Sequence, residues 1–249
     1  MTDDKPIRMA ATIMLLRETP ALEVLMVRRN QMIDFFSGAM VFPGGKLTEE
    51  DASPAWADHA RGWHDVPEEE RAPRIAAVRE TFEETGMLLA DGAVAGTVEE
   101  RKAVENGELP FLDLVREKGV TPDLGQLTRF ARWVAPKSAP KRFDTFFFIA
   151  RAPEGQEAAH DGRETVFTEW IAPAEALRLW ETRERAIVFP TRMNLRALSG
   201  SDTLAAAALA ASVRAGRTVH PQVVEVEGVR RLRLALDDGY GEVDELFDR

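Results

Sequence analysis

The chain has 249 residues, 45% hydrophobic and 30% charged, with a formal net charge of −10. That composition suits a globular protein of one large or two small domains, and the acidic balance argues against nucleic acid as the main partner. No cysteine is present, which excludes disulfides, thiolate metal sites and a cysteine nucleophile; with no signal pattern at the start and no apolar run of about 18 residues, a cytoplasmic, membrane-free setting is expected.

In chain order, residues 11–16 and 22–29 read as strands joined by a turn at Glu18-Thr19-Pro20, and 39–42 as a short strand. A helix is predicted over 73–89, followed by helices over 98–106 and 111–118, separated by Gly107 and Pro110. Strands follow at 128–134, 142–150 and 165–171. A helix over 173–185 has proline at its start, where proline is tolerated. An alanine-rich helix at 203–214 precedes a hairpin of 219–226 and 229–236 around Glu227-Gly228.

The chemistry concentrates in Arg79-Glu80-Thr81-Phe82-Glu83-Glu84-Thr85-Gly86-Met87. At about 100° per residue, Glu80, Glu83 and Glu84 share one helix face, while Ile75, Val78, Phe82 and Leu89 form an apolar face that can be buried. Such a helix can simply expose an acidic face. Like charges this close are destabilising, however, and a divalent cation with oxygen ligands would relieve them. Upstream, Val41-Phe42-Pro43-Gly44-Gly45-Lys46 ends a strand in two glycines, which let backbone approach a ligand closely.

Together these stretches resemble the Nudix box, whose second half runs R-E-U-x-E-E-x-G-U with U aliphatic. Arg79, Glu80, Glu83, Glu84 and Gly86 are in register, Met87 fills the last apolar slot, and Thr81 departs from the first. The box is interrupted: Asp51 occupies the first glutamate slot, and residues 52–78 separate it from Arg79. Residues 52–74, with Trp56, His59, Trp63 and His64, read as an inserted lid or packing element. The histidines read as surface or core residues rather than metal ligands. Asp51 reads as a structural acceptor rather than a ligand.

The resemblance implies an α/β fold, a Nudix-type α/β/α sandwich with a mixed sheet, spanning 1–249 as one domain. It would carry a helical insert in the box loop and an extension over 190–249 that packs on the same domain or on a second copy in a homodimer. It also implies hydrolysis of a diphosphate linkage with Mg²⁺ or Mn²⁺. Glu83 and Glu84 would be ligands and Glu80 a ligand or the base. Arg79 would orient a glutamate and the glycine loop. Glu164 would be a further ligand or the alternative base, with Glu157 and Glu169 as rivals. Gly44, Gly45 and Lys46 would carry substrate phosphates. Arg29, Lys137, Lys141 and Arg142 are further anion contacts or solvated surface residues.

Residues 24–45 (VLMVRRNQMIDFFSGAMVFPGG) and 132–153 (RWVAPKSAPKRFDTFFFIARAP) resemble the Nudix branch that includes the peroxisomal coenzyme A diphosphatase. The coenzyme A signature of the family matches at Leu25, Arg29, Gly38 and the Phe-Pro-Gly-Gly run. It departs at Val27, Asn30 and Asp34, where threonine, serine and arginine are expected. Coenzyme A or acyl-coenzyme A is therefore one expected substrate. ADP-ribose, a dinucleotide or a nucleotide sugar is another, and a non-catalytic binding module is the third reading. Phe35, Phe36 and Trp133 could stack on a base or pack in the core.

Overall fold

A computed structural model describes residues 6–30, 38–92 and 95–247. Asp34, Phe35 and Phe36 lie outside the described residues.

The first strand, β1 (Ile7–Glu18), is at the centre. It turns back into β2 (Leu22–Arg29), and β3 (Met40–Val41) and β4 (Gly44–Lys46) follow. The next regular elements are α1 (Glu68–Thr85), β5 (Ala90–Asp91), α2 (Val98–Glu105), α3 (Phe111–Lys118) and β6 (Thr121–Pro122). Then come β7 (Thr128–Val134), β8 (Arg142–Arg151), β9 (Thr165–Ile171), α4 (Pro173–Glu181), α5 (Phe189–Leu198) and α6 (Leu204–Arg214). The chain closes with β10 (Thr218–Val219), β11 (Gln222–Val226), β12 (Val229–Leu234) and β13 (Val243–Leu246).

The main sheet runs β10-β7-β8-β1-β2-β3, with β4 also paired to β1 and β9 to β2. It is mixed. β1 and β8 are parallel over ten residue pairs, from Ile7 opposite Arg142 to Leu16 opposite Arg151, whereas β1–β2, β2–β9 and β7–β8 are antiparallel. Both faces of the sheet are covered, so its central strands are apolar at successive positions rather than alternating with polar ones. Ile13, Leu15, Phe146 and Phe148 pack with Ile75, Val78 and Phe82 of α1. Their neighbours Met14, Leu16, Phe147 and Ile149 pack on the other face with Met193 and Leu195 of α5, Ala207 and Ala211 of α6, and Val219 of β10.

Three expectations need correction. The box helix runs from Glu68 to Thr85, not over 73–89. Glu68, Glu69 and Glu70 fill its first turn, where negative charge suits the helix dipole. It stops where Gly86 takes a left-handed φ of 77°. Residues 68–74 are therefore its first two turns, and only the part before them is separate. Second, the strand predicted over 219–226 is broken at Pro221: β10 joins the main sheet, while β11, β12 and β13 form a small sheet of their own. Third, the predicted elements lack β4, β5, β6, α5 and β13.

The insert is a packing element. Trp56 is fully buried, its indole donates to Glu50 O (3.0 Å), and its ring lies 5.9 Å from Phe111, which lies 5.9 Å from Phe82. Ala60 and Trp63 join the same core, and His59 accepts a hydrogen bond from Arg116 Nε. Trp133 is a core residue too, with its indole N–H on the Tyr240 hydroxyl.

Candidate active site

The apolar face of α1 presses Ile75, Val78 and Phe82 against the sheet. Its polar face meets β4, which pairs Ala11 with Gly45 and Thr12 with Gly44. The fit leaves no room for side chains on the strand. A Cβ on Gly45 would lie 2.4 Å from Glu80 Oε2, and one on Gly44 would lie 2.4 Å from the Ala11 carbonyl oxygen. The Gly44 N–H donates to Glu84 Oε2 at 3.1 Å. Both glycines thus bring backbone directly onto the carboxylates of α1.

Arg79 organises the rest. Its Nε and Nη2 donate to the two oxygens of Asp51, each at 2.9 Å. Nη1 donates to Glu80 Oε1 at 2.9 Å and Glu83 Oε1 at 3.0 Å, and Nη2 also reaches the Lys46 carbonyl at 2.9 Å. Asp51 additionally accepts from Thr48 N and Oγ1. One buried cation therefore serves three carboxylates, and Glu84 is held by Gly44 instead.

That charge balance shifts the protonation equilibria. Burial raises the Glu80 carboxyl to about 7; Arg79 opposes the shift and Glu83 adds to it. Burial also raises Glu83, against Arg79. Glu84 is pushed well above the usual carboxylate range by burial, with the charge of Glu80 adding and the Gly44 N–H opposing. For Arg79, burial pulls downward but the hydrogen bonds to Asp51 and the surrounding carboxylates prevail, so it stays firmly protonated.

These residues suit a hard divalent cation. The donors are all carboxylate oxygens, they are short of positive charge, and Glu84 Oε1 is buried with no hydrogen-bond donor. Glu80 and Glu83 each turn one oxygen to Arg79 and keep the other outside that bond. Among the described residues, no three such side chains already converge as a formed metal site.

Glu164 is exposed and lies near enough for its charge to act on Glu83 and Glu84. Arg29, at the end of β2, acts on Glu84 with the opposite sign. Lys46 contributes its carbonyl, while its side chain is exposed. Glu169 pairs with Met26, whose side chain packs on the far face of the sheet, and lies 3.6 Å from Arg185. Arg142 stands apart. It opens β8 four positions before Phe146, the partner of Ala11, which is about 13 Å along the strand from the level of Gly45.

Three polar residues near the site escaped the sequence reading. Arg101 donates to Glu83 O at 3.0 Å, the Thr165 hydroxyl lies 3.2 Å from Glu84 O, and Asp161 folds the turn that carries Glu164. The Asp161-Gly162 pair is the local signal that could have marked that turn.

The family model described as the NUDT19 Nudix domain matches residues 58–198, more than half of the chain. The chain belongs to the Nudix hydrolase family. A Nudix hydrolase structure from Alicyclobacillus acidocaldarius superposes with a TM-score of 0.73 at 31% identity, covering 82% of this chain and 96% of that one. The acyl-coenzyme A diphosphatase NUDT19 of Xenopus laevis is 26% identical over 216 residues, covering 67% of this chain and 57% of that protein. The human protein of the same name is 26% identical over 239 residues, covering 76% and 64% respectively. The chain thus spans less than two thirds of the length of either relative. Nudix hydrolases generally use divalent metal ions, which agrees with the carboxylate chemistry of α1. No helix among the described residues is long and apolar enough to cross a membrane.

Proposed function

We propose that this Nudix chain hydrolyses the diphosphate linkage of coenzyme A or acyl-coenzyme A, with Mg²⁺ or Mn²⁺ held by Glu80, Glu83 and Glu84. The match of residues 58–198 to the NUDT19 Nudix domain carries the substrate reading, because it begins inside the insert and runs through the box helix to α5. Two of the three departures from the coenzyme A signature have structural explanations. Val27 is fully buried in β2, and the side chain of Asn30 donates to the Arg163 carbonyl at 2.7 Å.

In this reading water adds to one phosphorus, the bridging P–O bond breaks, and the products are 3′,5′-ADP and a phosphopantetheine. The metal would neutralise the phosphoryl oxygens and acidify the attacking water. Glu164 would take the proton from that water. Its carboxylate is exposed and accepts no hydrogen bond among the described residues. Arg79 keeps Glu80 and Glu83 oriented, and Gly44 fixes Glu84. Arg29, Gly45 and Lys46 would face the diphosphate. The catalytic unit would include the extension, since α6 and β10 share the core of the main sheet.

The test is chromatography with mass detection on coenzyme A, acetyl-coenzyme A, ADP-ribose and NADH, each with Mg²⁺ and then Mn²⁺. Release of 3′,5′-ADP from the coenzyme A species is the expected result. Cleavage of ADP-ribose or NADH alone would overturn the substrate and keep the chemistry. No turnover of any compound would leave a binding module.

A further inference from the structure

The last four carbonyls of a helix have no partner within it. At the end of α1 three of the four are taken. Phe82 O accepts from Gly86 N at 2.8 Å, Glu83 O from Arg101 Nη2 at 3.0 Å, and Thr85 O from Ala159 N at 2.9 Å. Glu84 O faces the hydroxyl of the fully buried Thr165 at 3.2 Å. Ala159 and Thr165 bracket one loop, and Glu164 sits on it.

Asp161 folds that loop. Its Oδ1 accepts from Glu164 N at 2.7 Å, and its Oδ2 accepts from Thr165 N at 3.0 Å and Thr165 Oγ1 at 2.6 Å. From the other side, Asn30 N donates to Glu164 O at 2.8 Å. The backbone of Glu164 is thus gripped at both its N–H and its C=O, while its carboxylate is exposed. The anchor is the helix turn that bears Glu83 and Glu84.

We propose that Asp161 and Thr165 are positioning residues that hold the Glu164 carboxylate at a fixed distance from Glu83 and Glu84. The proposal rests on the reading that Glu164 takes part in hydrolysis. An exposed glutamate on a free loop would sample many positions, and a misplacement of about 1 Å can cost about 100-fold in rate. Tying the loop to the carbonyl of Thr85, the neighbour of Glu84, restricts that freedom.

The experiment is a double-mutant cycle of Asp161→Ala with Glu164→Gln, with kcat and KM measured on coenzyme A and on ADP-ribose. Asp161→Ala is expected to lower kcat about 10- to 100-fold with little change in KM. In the Glu164→Gln background the same change should cost less than about threefold. Thr165→Val should behave like Asp161→Ala, and Thr165→Ser should restore most of the rate. Amide exchange should rise over 162–165 in Asp161→Ala while α1 stays protected. Should Asp161→Ala fail to fold, Asp161→Asn, which keeps one acceptor oxygen, takes its place. Additive losses, or unchanged kcat in Asp161→Ala, would overturn the positioning role alone. Wild-type kcat in Glu164→Gln, or no turnover of either substrate, would overturn the participation of Glu164 and the proposal with it.

Discussion

Arg79 and Asp51, 28 positions apart in sequence, meet through two parallel hydrogen bonds of 2.9 Å in the interior. This pairing reunites a box that the sequence interrupts. Asp51 is 1% exposed and its arginine partner 6%. Removing Asp51 leaves the Arg79 Nε–H and the Thr48 N–H without their acceptor while Glu80 and Glu83 still balance the charge, and an unsatisfied buried donor costs about 1–3 kcal/mol. Asp51→Ala is therefore expected to lower urea-unfolding stability by that order and to reduce turnover through the freed Arg79. A loss under about 1 kcal/mol would count against the pairing as a structural tie.

Gly45→Ala separates fold from chemistry. The added methyl would meet the end of the flexible Glu80 side chain, not backbone. The chain should fold with a melting temperature close to the parent, while kcat falls about 100-fold as Glu80 is displaced. Parallel melting and turnover measurements decide it, and full activity would show that Glu80 has slack.

Glu84→Gln should trade activity for stability. Ionised Glu84 is disfavoured by burial and by Glu80, and glutamine still offers an oxygen to Gly44 N. The metal-free variant is expected to be more stable than the parent at pH 8, by about 1 kcal/mol, with kcat down at least about 100-fold from the loss of a few kcal/mol of metal-mediated stabilisation. Wild-type turnover would remove Glu84 from the ligand set.

The raised Glu80 carboxyl predicts a pH dependence. Between its usual 4.5 and about 7, the metal-free folded chain holds a proton that the unfolded chain has released. Its contribution to stability therefore falls as pH rises through that window. A cation competes with the same proton, so stabilisation by Mg²⁺ should be larger at pH 8 than at pH 5.5. Melting temperatures with and without Mg²⁺ at both values test this, and the difference should shrink in Glu80→Gln. Equal shifts at both pH values in the parent would refute it.

The insert makes a separate claim on stability. Trp56→Ala should destabilise by about 3–5 kcal/mol, because it removes a fully buried indole from between the insert and Phe111. Unfolding in urea is the measure, and a near-neutral result would mean that the insert is only loosely docked.

Local signals made much of this legible in the sequence. Residues 22–29, 111–118, 128–134 and 165–171 are regular elements at the predicted boundaries, because Gly, Pro and polar turns flank apolar runs there. The box helix was misjudged at both ends. Pro73 reads as a first-turn residue, yet it sits in the second turn, and the acidic Glu68-Glu69-Glu70 run was the truer start. Gly86, in a left-handed conformation, is the stop, three residues before the predicted end at Leu89. The carboxylates themselves were readable because their spacing is local. The anchoring of the Glu164 loop to the helix end was not, because it joins Ala159 to the carbonyl of Thr85, far away in sequence.

The alternation of Ile13 and Leu15 with Met14 and Leu16 along β1 assigns the two halves of the molecule to opposite sides of one wall. Substitutions among α5, α6 and the terminal sheet act on the carboxylates through that wall, whose longest seam is the ten-pair ladder between β1 and β8, and through Met40 and Phe42, which lead into the Gly44-Gly45 turn. The outer half accordingly touches the carboxylates' surroundings through the sheet rather than by direct contact, so the two sides share one backbone but keep separate clusters of buried side chains.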